Sequence, residues 1–212
     1  PNYKVFFVPL PPTNPLGKVF SGIQTLGKFK PANSVRYGFP GNYQFPKSLF
    51  MLDRCFLVNR YTLDNGNDLL IINSHNSAYD DGSLRKIQME YIRKFLLEEY
   101  EAGNYVIVGA DWNQSPPGFY PEYPGDLFDD ENFSLIDEDF MPSGWEWAWD
   151  PGVPTNRRVK IPYEQGLTPT TIIDFYLVSP NVRVLQVNTI DLRFASSDHQ
   201  PVLLKIELKS NQ

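Results

Sequence analysis

The sequence predicts an α/β sandwich, and three observations carry that expectation: a hairpin signal, one amphipathic helix and a short strand that is apolar on every side. Residues 49–63 are rich in β-branched and aromatic side chains, and Asp64-Asn65-Gly66-Asn67 separates them from a second apolar run, 69–74. Asn-Gly favours the positive φ that a tight turn needs, so the two runs are expected to pair antiparallel. From 83 to 100 the period lengthens. Leu84, Ile87, Tyr91 and Phe95, with Ile92 and Leu96 beside them, recur at spacings of three and four while Arg, Lys and Glu fill the other face. Ser83 is the expected N-cap of this helix and Gly103 its stop. Then Tyr105-Val106-Ile107-Val108-Gly109 has no polar face, as in a strand buried on both sides.

The remaining elements follow along the chain. Residues 3–8 read as a strand, and the cluster Pro9, Pro11, Pro12 and Pro15 after it demands an irregular connection, because proline cannot donate to a ladder. Residues 22–29 form a further strand candidate. Residues 114–170 are different in kind: they hold 9 of the 19 prolines, 10 aromatics and 11 acidic residues against 3 basic ones, a net −8 that leaves +2 for the rest of the chain. A long stretch of poor periodicity inside a compact domain is usually either functional or mobile. Trp145, Trp147 and Trp149 alternate within it, which puts all three on one face if extended, with core packing favoured over ligand stacking. Three more strands are expected at 171–178, 182–190 and 201–208.

These elements fill a single domain over residues 1–212, long enough for one substantial core. With 42% hydrophobic and 21% charged residues, the chain is neither disordered, collagen-like nor a coiled coil. A net charge of −6 argues against affinity from a broad phosphate-neutralising surface. Cys55 is the one cysteine, which forbids an internal disulfide, and its apolar surroundings favour a buried small residue. Residue 1 is Pro and no apolar run of about 18 residues follows. The chain therefore reads as a processed product, and a membrane-anchored or extracytoplasmic precursor stays open.

Polar residues gather at strand ends, where loops build sites on a rigid scaffold. Asn73-Ser74-His75 closes one apolar run, Gly109-Ala110-Asp111-Trp112-Asn113 closes another, and Ser196-Ser197-Asp198-His199 opens the last. His75 and His199 are the chain's two histidines. Alone, each motif is more simply a structural histidine or a turn; together, that reading weakens.

Asn73-x-His75, Gly109-x-Asp111-x-Asn113, Ile173-Asp174-Phe175-Tyr176 and Ser197-Asp198-His199-x-Pro201, in this order, resemble the endonuclease/exonuclease/phosphatase superfamily, the deoxyribonuclease-I-like proteins. Arg85 and Gln88 match the family's Arg-x-x-Gln, and the likeness runs from about residue 22 to residue 208. The resemblance implies a four-layer fold, a two-sheet β-sandwich flanked by helices, and metal-dependent hydrolysis of a phosphodiester or phosphomonoester. It implies that Asp111 activates or positions the attacking water, that Asn113 orients it and contacts phosphate, and that Asp198 holds the metal, Mg²⁺ or alternatively Mn²⁺. His199 would touch the scissile phosphate with Asp174 behind it, His75 would be a second phosphate-facing imidazole, and Asn73 a supporting residue at the substrate. Arg157 and Arg158, beside Thr155-Asn156, are candidates to grip a phosphate group.

Two departures from the family stand out. Ala110 follows Gly109 where the family has Gly immediately before the Asp. More seriously, the family's amino-terminal Asn and Gln-Glu motifs have no counterpart, so the domain is expected to have begun before Pro1 and the chain by itself to be weakly active or inactive. A noncatalytic domain that binds a ligand or protein through the acidic aromatic segment, and an inactive stable fragment, are the alternative readings. The regional acidity favours a small or lipid-linked phosphoester over nucleic acid, and nothing in the sequence marks a stable protein partner.

Overall fold

The computed structural model of the protein describes residues 4–7, 18–41, 43–45, 51–78, 81–120 and 133–209. A six-stranded mixed sheet is its centre, in the order β3-β4-β5-β6-β10-β7. The strands are β3 (Asn33–Gly38), β4 (Cys55–Thr62), β5 (Asp68–His75), β6 (Tyr105–Asp111), β7 (Glu146–Ala148) and β10 (Asp174–Val178). Helix α1 (Ser83–Glu101) crosses from β5 to β6, which run parallel; the other pairs are antiparallel. Two-stranded ribbons complete the description: β1 (Lys4–Phe7) with β2 (Lys18–Ser21), β8 (Asn156–Arg157) with β9 (Thr170–Thr171), and β11 (Val182–Thr189) with β12 (Val202–Leu208).

Because side chains alternate along a strand, the central sheet builds a core on each face. Phe56, Val58, Leu70, Ile72, Val106, Val108, Phe175 and Leu177 meet Met89, Ile92 and Leu96 of α1 on one side. On the other, Tyr105, Ile107 and Val178 pack with Val182, Val184, Leu204 and Ile206 of the β11–β12 ribbon. The result is helix, sheet, sheet: a β-sandwich flanked by a helix, the α/β class expected.

Several local expectations hold for identifiable reasons. The β4–β5 turn closes with the Leu63 N–H donating to Asn67 O at 2.9 Å, and Gly66 takes φ 84°. Helix α1 ends where Gly103 turns left-handed at φ 88°, its N–H on Tyr100 O and that of Asn104 on Glu99 O. Trp145, Trp147 and Trp149 all pack on the helix-side core, with Trp147 edge-on to Trp112 at 5.2 Å.

Other expectations are corrected. The residues preceding α1 cap it differently: Gly82, at φ 91°, holds the N-cap position and Ser83 is the first helical residue, its N–H bonded to Asp81 Oδ1 at 3.1 Å. The buried stripe of α1 is Arg85, Gln88, Met89, Ile92 and Leu96, while Ile87 and Tyr91 are exposed, so the face is rotated by about one residue from the hydrophobic reading. The strand expected at 22–29 does not form: the ladder of β2 ends at the Lys4–Ser21 pair, and Gln24 O accepts from the Asn73 side chain at 3.0 Å in place of a neighbouring strand. In its place the edge strand β3 appears, which polar Asn33, Ser34 and Arg36 conceal in the sequence. Of the expected strand 49–63, residues 49 and 50 lie outside the described residues, 51–54 are irregular and Cys55–Thr62 forms β4, while 171–178 splits into β9 and β10. The strand at 3–8 is confirmed as β1; residues 8–17 with the proline cluster lie outside the described residues.

Candidate active site

Register places the chemistry. His75 pairs with Asp111 across β5–β6, and Asp111 with Asp174 across β6–β10, so the ends of three adjacent strands carry His75, Asp111 and Asp174 in one row. The sequence folds this way because β5, β6 and β10 each carry an apolar run whose buried residues, Leu70 and Ile72, Val106 and Val108, and Phe175 and Leu177, fix the register. His199 arrives from the segment before β12, pinned on β8: the Arg157 N–H donates to Asp198 O at 3.0 Å and the Gln200 N–H to Thr155 O at 2.8 Å. Thr155, fully enclosed, accepts the N–H groups of both Ile173 and Asp174 on its Oγ1 at 3.0 Å each. One hydroxyl thus ties the start of β10 to the strand that holds His199.

Two acid–imidazole pairs result. His199 Nδ1 lies 2.8 Å from Asp174 Oδ2, and His75 Nε2 lies 3.1 Å from Asp111 Oδ2. Ligand-type atoms of Asp111, Asp174 and His199 fall within 4.8 Å of one another. Burial lowers the affinity of the His199 ring for a proton, but the hydrogen bond and charge of Asp174, then the charges of Asp111 and Asp198, outweigh it and raise the pKa to about 9. Asp111 is held below the ordinary carboxylate range: burial opposes this, and the His75 hydrogen bond and charge prevail, with help from His199 and the Asn113 N–H. Burial and the charge of Asp111 push Asp174 upward against the pull of His199. The Asn156 amide nitrogen lies 3.0 Å from His199 Nε2 and donates to Asp198 O at 3.2 Å.

Asn113 completes the loop after β6 in a left-handed conformation, φ 51°. Its N–H caps Asp111 Oδ1 at 3.0 Å, its Nδ2 donates to Asn76 O at 3.0 Å, and its own carbonyl accepts Arg85 Nη1 at 2.9 Å. Gln88 braces the facing loop through both Ser77 N–H and Ser77 Oγ, each at 2.8 Å. The Arg-x-x-Gln pair on α1 therefore acts on the site as a bracket. Buried Ala110 points into the helix-side core, while Gly109 faces the ribbon side, where an added Cβ would stand 2.7 Å from the Tyr176 ring.

Of the residues singled out in the sequence, Asp111, Asn113, His75, Asp174 and His199 come together. Asp198 stands at the rim, its Oδ2 4.0 Å from His199 Nε2. Arg157 and Arg158 line a cleft with Asn113 and His199. Asn73 instead donates to Gln24 O at 3.0 Å, and His75 is directed at Asp111. Thr155, Asn156 and Asn76 carry no motif of their own; only the position of Thr155-Asn156 beside the arginine pair marked that stretch.

No protein-family model matches the sequence, and neither does any curated protein. Solved structures do. An endonuclease/exonuclease/phosphatase from Beutenbergia cavernae superposes with a TM-score of 0.56 at 17% identity over 98% of this chain and 53% of that one. The fold is that of the endonuclease/exonuclease/phosphatase proteins. A Bacteroides vulgatus member gives 0.54 at 18% identity, covering 85% of this chain and 66% of its own, and the human Nocturnin catalytic domain gives 0.54 at 15%, covering 98% and 73%. The chain thus spans about half to two thirds of the first two of these endonuclease/exonuclease/phosphatase structures. Among the described residues no helix is long and apolar enough to cross a membrane.

Proposed function

We propose that the chain is a divalent-metal-assisted phosphoester hydrolase. The observation that carries this reading is the convergence of Asp111 and Asp174, at the ends of adjacent strands, with His199 from the segment before β12, within 4.8 Å, with His199 backed by Asp174 and His75 by Asp111. Proteins of the same fold lend support: one is a Bacteroides thetaiotaomicron mannosyl-6-phosphatase, and one, Danio rerio TDP2, was solved with a single-stranded DNA product.

The donor set suits a hard cation. Asp111 and Asp174, with Asp198 at the rim, would hold Mg²⁺ or Mn²⁺; burial first, and the charge of Asp111 after it, push Asp174 upward, and a bound cation would offset both. When bound, a divalent ion neutralises charge on the phosphoryl oxygens.

The chain's own residues supply the rest. Asp111, ionised and fixed by the Asn113 N–H and His75, positions the attacking water and takes its proton as the new P–O bond forms. The His199 imidazolium, oriented by Asp174, stabilises the charge that builds on the phosphoryl group while the bond to the leaving oxygen breaks. That oxygen takes the His199 Nε2 proton as the bond breaks, and the proton gained by Asp111 balances the one His199 gives up, so the products are an alcohol and a phosphate. Asn113 and the Arg157–Arg158 pair bind and orient the anion.

The test is hydrolysis of a chromogenic phosphodiester by the full chain with Mg²⁺. Asp111→Asn and His199→Ala are each expected to lower kcat by about a hundredfold or more, and chelation by EDTA to stop turnover until Mg²⁺ or Mn²⁺ is restored. Wild-type rates from both variants would overturn the assignment.

A further inference from the structure

Positive charge is gathered at one end of this sequence. Residues 1–52 carry six cations, Lys4, Lys18, Lys28, Lys30, Arg36 and Lys47, and no Asp or Glu, whereas residues 53–212 carry 13 cations against 25 acids. The three most exposed large hydrophobic side chains among the described residues fall in the same stretch: Leu26 at 84%, Phe29 at 79% and Phe45 at 79%. Exposed apolar residues scattered singly need no explanation, but here apolar tips and cations without acids coincide.

Leu26, Lys28, Phe29 and Lys30 stand on one loop, and all of residues 26–30 are exposed. The loop is held at both feet: Gln24 O accepts the Asn73 side chain of β5 at 3.0 Å, and the Ala32 N–H donates to Arg60 O of β4 at 2.8 Å. Its tip is therefore presented by the sheet, which keeps the ordering cost of binding small. Arg36 shares a cross-strand row with Leu57 and Asn73, so it lies on the sheet face that the loop crosses. Among the described residues no carboxylate pairs with Lys28, Lys30 or Arg36. Leu26 also lines a cleft with His75, Asp111 and Tyr176, so the loop forms one lip of an approach to the candidate site.

We infer that the loop of residues 25–31 docks the chain on an anionic lipid surface, with Leu26 and Phe29 entering the interfacial layer and Lys28, Lys30 and Arg36 facing the lipid phosphates. An apolar tip set among lysines suits that layer on both counts. The leucyl and phenyl side chains leave water at the acyl boundary, and each ammonium beside them meets a negative surface potential. A nucleic acid strand would answer the lysines but offers no apolar layer for Leu26. The inference stands apart from the hydrolase reading, because it concerns where the chain binds and not what it cleaves.

Sedimentation of the full chain with lipid vesicles tests it. Phosphatidylcholine vesicles with about 30% phosphatidylserine are expected to bind the chain at least about tenfold more tightly than phosphatidylcholine alone, with a preference that shrinks as salt is raised. Leu26→Ser with Phe29→Ser, and separately Lys28→Glu with Lys30→Glu, are each expected to weaken binding to the anionic vesicles about tenfold or more. Phe29→Trp is expected to keep the affinity and to add an emission that shifts to the blue on those vesicles, read as the difference from wild type. No binding, equal binding to the two vesicle types, or binding untouched by either pair of substitutions would overturn the inference. So would a single-stranded oligonucleotide that binds more tightly than the anionic vesicles, or a dimer in solution that Leu26→Ser with Phe29→Ser dissociates. The readout is binding, so the two readings fail separately: a chain that binds the vesicles yet hydrolyses no phosphoester retires the hydrolase alone, while one that turns over the soluble chromogenic diester without binding them retires the docking loop alone.

Discussion

His199 illustrates how much one partner decides. The ring is half-buried, which by itself disfavours charge, and only the Asp174 carboxylate with Asp111 and Asp198 behind it makes imidazolium the resting form. In metal-free buffer, Asp174→Asn is expected to bring the His199 pKa down from about 9 toward the ordinary 6.5, read by NMR titration of the ring protons. The sign for stability follows: the folded pKa is raised, so the contribution of the pair is complete below about 6.5 and is lost as pH climbs through about 9. Denaturant midpoints of wild type and Asp174→Asn should therefore converge between those values; a constant gap across them would show that the pair is not an ion pair. Ser-Asp-His was readable in the sequence as a candidate because few residue types do this chemistry. Thr155 was not, since a threonine becomes a hub for two N–H groups only after β8 and β10 are brought together.

At the scale of elements, helix α1 shows where periodicity misleads. Leu84, Ile87, Tyr91 and Phe95 form the more obvious apolar stripe, yet the sheet receives Met89, Ile92 and Leu96, with Arg85 and Gln88 completing that face. Polar side chains are buried there because their donors are used on Asn113 and Ser77. Ile92→Ala is expected to cost about 2–5 kcal/mol in denaturant unfolding, while Ile87→Ala, 47% exposed, costs about 0.5 kcal/mol or less. The reverse order would restore the hydrophobic stripe as the buried face. Gly109 makes a similar point on β6. Its Cβ position is taken by the Tyr176 ring, whose hydroxyl is tied to Val202 O at 2.9 Å, so Gly109→Ala is expected to lower the Tm by forcing that ring off its partner, and Tyr176→Phe not to rescue it.

For the whole molecule, charge and layering set the limits on function. The acidity counted over the chain is regional, and the cations of residues 157–160 stand against it at one cleft. A folded chain that binds metal only when its strand ends are aligned gains stability from it by mass action, about 2.7 kcal/mol at a hundred times Kd. Mg²⁺ is therefore expected to raise the Tm of the wild type and to leave Asp111→Asn unmoved; an equal rise in both would place the metal elsewhere. The sequence by itself determined the hairpin, the helix, the buried strand β6 and the identity of the acids and imidazoles, because turn chemistry, period and side-chain reactivity are local properties. Only the tertiary structure decided which helix face is buried, that β3 and not residues 22–29 joins the sheet, and that Asn156, Arg157, Arg158 and Lys160 open onto His199. Those facts depend on which surfaces meet, and residues as far apart in the chain as 75, 111, 156 and 199 become neighbours only through strand register, a pairing that no single segment encodes.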